Sequence, residues 1–284
     1  MKPAPFRLER PRTIADACSL LMQDGAKAMA GGQSLGPMLN LRLAAPDLVV
    51  DLGGIAELRR AWSEPGCEVY GALVTHADVE DGRVPDVGEN ILRRVAGGIA
   101  YRAVRNRGTM GGSLFHADPA ADWVNALSAL SAEVEIAGPE GRRRLALADF
   151  LTGALSTALG CGEILVAIRV PHVQAGARFG YVKHCRKVGE FAHAVGAVLA
   201  DPAAGTCRAV MGAIDAPPLV FADAAPLFGG AITEGFAARF DAAAAAAALA
   251  AAGVEDPVRR HMHAEVLRRA ALQASALLPE KAAA

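Results

Sequence analysis

Several things are scarce in this 284-residue chain, and each scarcity excludes a class of function. The five cysteines, Cys18, Cys67, Cys161, Cys185 and Cys207, are scattered, with no CxxC pair and no Cys/His group at metal-ligand spacing. An iron–sulfur cluster needs about four convergent thiolates, so none is expected on this chain, and no metal site is read. Neither charge sign dominates: 29 Lys and Arg oppose 30 Asp and Glu, which gives no basic footprint for nucleic acid. No apolar stretch reaches the roughly 18 helix-compatible residues that would span a bilayer. The opening MKPAPFRLERPR has no apolar core of the kind found in a secretory signal. With an odd number of dispersed thiols, this makes a reducing cytoplasm the expected location. No Ser/His/Asp or Cys/His arrangement offers a nucleophile, so no catalytic residue is assigned. The GxGxxG fingerprint of a Rossmann dinucleotide site is also missing.

Glycine is plentiful, and it is concentrated. One segment reads AMAGGQSLGPMLNLRL, from Ala28 to Leu43, and another reads RNRGTMGGSLFHADPAADW, from Arg105 to Trp123. Each sets a Gly-Gly pair beside small hydroxyl residues: Ser34 after Gly31 and Gly32, and Thr109 and Ser113 around Gly111 and Gly112. Glycine lets backbone N–H groups approach a phosphate closely, and Ser or Thr adds a donor without bulk. Two such loops suit a ligand with two adjacent phosphates, such as a dinucleotide.

The rest of the chain reads as α+β. Residues 1–55 form a small unit: Thr13 caps a helix over IADACSLLMQ, Gly25 stops it, AKAMAGG is a strand entering the first loop, a helix begins near Pro37, and DLVVDL is a buried strand. Residues 56–174 form a second unit. It has a helix start at Thr75, a helix within ENILRRVAGGIAYRAVRNRG, and a helix with Pro119 at its first position and Asp118 as its cap. Strands AEVEIAG and RRLALADF flank the Gly138–Gly141 turn, and GEILVAIRVP closes the unit at Pro171. The composition changes at VQAGAR, which places a domain boundary near residue 175, giving 1–174 and 175–284. The second domain begins with strands and ends with two helices, one Ala-rich and one running from Asp256 to Leu278.

In order along the chain, AGGQSLGPMLNLRL, GALVTHADVE, RNRGTMGGSLFHADPAADW, YVKHCRKVGEFAHAVGAV and RRHMHAEVLRRA resemble the FAD-binding medium subunits of the molybdenum hydroxylases. That group holds the flavin subunits of bacterial carbon monoxide, nicotine and caffeine dehydrogenases and the flavin domain of xanthine dehydrogenase. The resemblance implies a two-part FAD domain of the vanillyl-alcohol oxidase-like (PCMH) type, then an antiparallel sheet with a helical bundle. It implies that both glycine loops wrap the FAD pyrophosphate: Met29, Ala30, Gly31, Gly32, Gln33, Ser34 and Leu35 on one side, Thr109, Gly111, Gly112 and Ser113 on the other. Asp122 corresponds to an acid that bonds the sugar portion, Lys183 to a lysine near the flavin, Phe191 to a residue that packs on the isoalloxazine, and Ala100 to a position close to it. His116 is read as a polar residue of the cofactor pocket.

The same resemblance implies partners: a large subunit with the molybdenum cofactor, a small subunit with two [2Fe–2S] clusters, assembly as a dimer of heterotrimers, and an external electron acceptor. Three positions depart from the pattern. Glu190 stands where relatives carry Asp, and Phe115 and Trp123 are bulkier than usual. No Cys-rich insertion interrupts residues 115–160, which separates the chain from the benzoyl-CoA reductase branch.

Other readings of single residues stand beside these. Arg105 and Arg107 are phosphate contacts or, on the plainer reading, solvated loop cations. Asp118 and Asp122 are metal ligands one helical turn apart, or a cap and a sugar ligand. His261 and His263 point apart on a helix and are taken as surface positions. Cys185 is a structural thiol by default. Two other functions also remain: a self-contained FAD oxidase, which would need its own substrate pocket and a covalent-flavin residue, and an assembly protein that has lost FAD, which would be colourless.

Overall fold

A computed structural model describes residues 2–275. Local chemistry sets most of its elements. β1 (Arg7–Glu9) leads to α1 (Ile14–Leu21), which starts where the Thr13 hydroxyl accepts the Asp16 N–H. β2 (Ala26–Met29), α2 (Leu35–Asn40) and β3 (Leu48–Asp51) follow, and β1 and β2 both pair in parallel with β3. The β3 run is buried on both faces, as an apolar strand inside a parallel sheet must be.

Next come β4 (Ala61–Glu64), β5 (Cys67–Gly71) and α3 (His76–Glu80). Thr75 and Asp78 close a capping box on α3, each side chain bonding the other's backbone N–H. The long helical pattern of residues 89–108 breaks into α4 (Ile91–Gly97) and α5 (Arg102–Arg105), and then α6 (Met110–His116) and α7 (Asp122–Ala129) are formed. β6 (Glu133–Gly138) and β7 (Gly141–Ala146) make the expected hairpin. Its continuation is helical, not extended: Leu147–Phe150 form α8, burying Leu147 and Phe150. A small hairpin of β8 (Leu151–Gly153) and β9 (Ser156–Thr157) precedes β10 (Ile164–Pro171), whose apolar run fills the middle of the antiparallel sheet β4-β5-β10-β6-β7.

The remaining strands are β11 (Arg178–His184), β12 (Ala194–Asp201), β13 (Thr206–Gly212) and β14 (Leu219–Phe221), an antiparallel meander in sequence order. α9 (Ala242–Ala251) is capped by Asp241, which accepts the N–H groups of Ala243 and Ala244. α10 (Pro257–Ser275) lies against β11 and β12. The expected extension of this helix to Leu278 lies outside the described residues. No helix among the described residues is long and apolar enough to cross a membrane. The mixed α+β class agrees with the sequence reading.

The chain forms two compact units. One joins the residues up to Asp118 with Ser131–His172, and the other joins Pro119–Leu130 with the residues from Val173 onward. The excursion of 119–130 has no counterpart in the sequence reading. Pro119 is not the first residue of a helix, and Asp118 is not its cap: α7 begins at Asp122 after Ala121. Asp118 and Asp122 therefore do not share a helix face. The Pro119 carbonyl instead accepts from the Asn125 side chain and from the Ala213 N–H, and Arg208 donates to the Ser128 carbonyl. These bonds hold α7 against β13.

Alternation along the meander gives each face its own partner. Gly180 and Gly196 face α10, where a Cβ would meet the backbone of Ala270 and of Leu267. Gly212 faces α7, where a Cβ would meet Asn125. The register places Lys183 opposite Val195 and Val195 opposite Gly212, so Lys183 shares the α7 face. One sequence expectation fails here. His263 is not at the surface but fully buried in α10, because the small residues of this face let the helix sit close to the sheet.

Candidate functional site

The two glycine loops touch, and they touch through glycine. A Cβ on Gly31 would lie 2.0 Å from the Arg107 carbonyl oxygen and 3.0 Å from the Gly108 Cα. Gly112 lies beside Ala30, and a Cβ on Gly111 would fall 2.5–2.7 Å from the side chain and backbone of Ala72. No side chain fits at Gly31 or Gly111 without moving backbone. Gly31 is required by the contact between the loops, and Gly111 by its packing on Ala72.

The loops differ in what their N–H groups do. In the second loop most of the donors are spent, those of Gly108, Met110, Gly111, Gly112 and Ser113, while the Thr109 N–H has no acceptor among the described residues. His76 N–H binds the Gly108 carbonyl, Met110 N–H the Val74 carbonyl, Gly111 N–H the Ala72 carbonyl, and Gly112 N–H the Thr109 hydroxyl, which caps α6. Thr75 and Thr109 form an antiparallel bridge. The segment 108–112 is thereby sewn to residues 72–76.

In the first loop the N–H groups of Gly31, Gly32, Gln33, Ser34 and Leu35 have no acceptor among the described residues. Gly32 adopts φ +71, and the Ser34 side chain does not cap α2. Five successive free donors at the C-terminal end of a parallel strand are the kind of backbone array that can take an anion. Met29 and Leu35 turn their side chains into the cluster of Leu39, Ala44 and Val49, so they offer a ligand main-chain atoms only.

Other expected residues of this unit lie on the same segments. Ser113 is half-buried on α6. His116, at the end of α6, is half-buried and makes no side-chain hydrogen bond among the described residues. Ala100 sits between α4 and α5 with φ +40, an uncommon backbone for a residue with a Cβ.

Arg105 is not a solvated cation. Its side chain is 12% exposed; it donates to both oxygens of Glu80 and to the carbonyls of Ile99 and Ala100. Hydrogen bonds from Arg105, then from Arg102, hold the Glu80 carboxyl below the usual carboxylate range. Arg107 is exposed. His76, beside Gly108, is buried, and loss of hydration together with the positive charge of Arg105 brings its pKa down to about 4. It is a neutral wall for the loop.

In the other unit, Asp122 begins α7, and its carboxylate is nearly buried. Lys183 Nζ donates to its two oxygens at 2.9 and 3.0 Å, and the Tyr181 hydroxyl donates to one of them at 3.0 Å. Burial and the Asp122 charge push the Tyr181 phenol well above its ordinary range, so it stays a donor. Lys183, with its side chain 17% exposed, is therefore not an exposed strand lysine. Phe191, by contrast, is 71% exposed on the 185–193 loop, so it is no part of the core.

The sequence reading took Arg105 for a phosphate contact or a loop cation, and it missed Glu80 and Tyr181. The only trace of the Tyr181–Lys183 pair was its spacing of two on a strand, which puts both side chains on one face. Nothing local signalled Glu80.

Residues 4–173 match the family model described as the FAD binding domain in molybdopterin dehydrogenase. The chain is 38% identical over 214 residues to the carbon monoxide dehydrogenase medium chain of Afipia carboxidovorans, covering 73% of each. It is 37% identical over 206 residues to the nicotine 6-hydroxylase medium subunit of Paenarthrobacter nicotinovorans, covering 72% of this chain and 71% of that one. Its fold superposes with a TM-score of 0.84 and 32% identity on a chain of carbon monoxide dehydrogenase from Hydrogenophaga pseudoflava, covering 96% of this chain and 98% of that one.

Proposed function

Since the chain belongs to the FAD-binding medium subunits of the molybdenum hydroxylases, we propose that it is the electron-transfer subunit of such an oxidoreductase. In this reading a large partner oxidises the substrate at a molybdenum cofactor, and a small partner relays electrons through two [2Fe–2S] clusters. The FAD held here delivers them to an external acceptor, in a cytoplasmic dimer of heterotrimers. Five unpaired cysteines suit that reducing compartment.

The observation that carries the proposal is the run of free N–H groups from Gly31 to Leu35. A dinucleotide diphosphate bears two negative charges, and backbone donors neutralise them without Lys or Arg. Ala30, Gly31, Gly32, Gln33 and Ser34 hold the diphosphate, with Met29 and Leu35 as main-chain flanks. Thr109, Gly111 and Gly112 act chiefly as the rigid backing that shapes this nest, and Ser113 adds a hydroxyl. His116 and Ala100 border the flavin. On the strength of the family resemblance, Asp122 bonds the sugar, and Lys183 and Phe191 attend the flavin. When bound, FAD supplies the redox chemistry; the protein positions it and tunes its potential. No residue of this chain is assigned to substrate oxidation.

The test is to purify the chain with its partners and by itself. The complex is expected to show the visible spectrum of FAD and to reduce an artificial acceptor when given substrate. The chain by itself is expected to bind FAD and oxidise nothing. A colourless complex, or turnover of an organic substrate by the chain alone, would overturn the proposal.

A further inference from the structure

We infer that Arg105 is a positioning residue that holds the Ile99–Ala100 turn in the shape the flavin meets. This rests on the reading that the chain binds FAD with Ala100 beside the ring.

The turn interrupts what would otherwise be one long helix. α4 ends at Gly97 and α5 starts at Arg102, and between them Ala100 takes φ +40. For alanine that backbone is unfavourable, because its Cβ crowds the neighbouring carbonyl. Something must sustain it, and the bonds made by Arg105 do. One face of the guanidinium grips both Glu80 oxygens, at 2.7 and 2.9 Å. The remaining Nη1 hydrogens reach the Ile99 carbonyl at 2.8 Å and the Ala100 carbonyl at 3.2 Å. Only a planar fork serves four acceptors on two sides; a lysine ammonium has three donors at one point.

Glu80 is itself fixed. It closes α3, and Arg102 also donates to it at 2.6 Å. The other end of α3 is tied to the second glycine loop by the bonds from His76 N–H to the Gly108 carbonyl and from Met110 N–H to the Val74 carbonyl, which flank the Thr75–Thr109 bridge. α3 is thus a five-residue bar with the loop at one end and, through Glu80 and Arg105, the Ile99–Ala100 turn at the other. The bar sets the spacing between the backing of the diphosphate nest and the flavin-side turn, and among the described residues Arg105 links it to both turn carbonyls.

The test uses the assembled complex, stripped of FAD and reconstituted. Arg105→Lys should weaken FAD binding about tenfold, the scale of losing hydrogen bonds to a charged group. It should also change the visible circular dichroism of the bound flavin. Ala100→Gly removes the cost of the left-handed backbone, so in that background the Arg105→Lys loss should shrink to about threefold. That coupling separates positioning from general stabilisation. Should the Arg105→Lys complex fail to assemble, Glu80→Gln loosens the same clamp more gently and should shift the flavin signal in the same sense. If the variants lower the melting temperature of the FAD-free complex but leave FAD affinity and flavin dichroism at wild-type values, Arg105 serves the fold alone and the inference is wrong. A wild-type complex without FAD would overturn the functional reading and this inference together; a wild-type complex with FAD and unaltered variants would overturn only this one.

Discussion

The α-carbon of Gly31 lies against the carbonyl of Arg107, so close that a Cβ would fall 2.0 Å from the oxygen. Two segments far apart in sequence are therefore joined by an absence of side chain. Gly31→Ala should push the loops apart, costing about 2 kcal/mol of stability and most of the FAD affinity. Gly36, on α2, has nothing within 4 Å of its Cβ position. Gly36→Ala should leave the fold intact and stabilise it by up to about 1 kcal/mol. Thermal melts and the flavin-to-protein absorbance ratio of the two variants check the contrast.

The Asp122 carboxylate is shared by Lys183 and Tyr181. Asp122→Asn removes the carboxylate charge that Lys183 and Tyr181 share and should cost about 3 kcal/mol, visible as a lowered melting temperature. Lys183→Met removes a positive charge from the residue proposed to attend the flavin. A redox titration of the complex should find the flavin midpoint lowered by about 30 mV, the equivalent of a 1.4 kcal/mol charge interaction in a two-electron couple. An unchanged midpoint would remove Lys183 from the tuning role.

His263 is fully buried, and neither ring nitrogen has a partner among the described residues. Burial, and then the charge of Arg259, lower its pKa from 6.5 to about 4, as burial and Arg105 do for His76. Both folded-state values lie below the unfolded one, so as pH falls below about 6.5 the unfolded chain takes up protons first. The contribution of these two histidines should therefore be full above 6.5, fall between 6.5 and 4, and change no further below, at no more than about 1.4 kcal/mol per pH unit for each. His263→Leu removes unsatisfied polar atoms and should raise stability by about 1 kcal/mol at pH 7, and more at pH 5. Denaturant melts at the two pH values measure this; equal stability changes at both would contradict it.

Short-range chemistry was legible in the sequence, and long-range choices were not. Thr13 and Thr75 announce their helices because a cap is decided within three residues. The buried run of β10 and the turn at Gly138–Gly141 are equally local. The excursion of 119–130, by contrast, depends on Arg208 and Ala213, far along the chain. Pro119 beside Asp118 looks like a helix start, yet tertiary bonds to the Pro119 carbonyl move the start to Asp122. Arg105 looked solvated because its acceptor, Glu80, lies 25 residues away. His263 looked exposed because Gly180 and Gly196, which let α10 sit close to the sheet, belong to other strands. In the candidate site the glycine motifs pointed to the right loops, while which N–H groups stay free was settled by pairing with residues 72–76.

The most direct test of the central claim is the visible spectrum of the purified complex, recorded before and after anaerobic addition of its substrate, alongside the isolated chain. The account predicts one FAD per chain, bleached by substrate in the complex and untouched by it in the chain alone. A complex with no flavin absorbance, or an isolated chain whose flavin is bleached by an organic substrate, would contradict it.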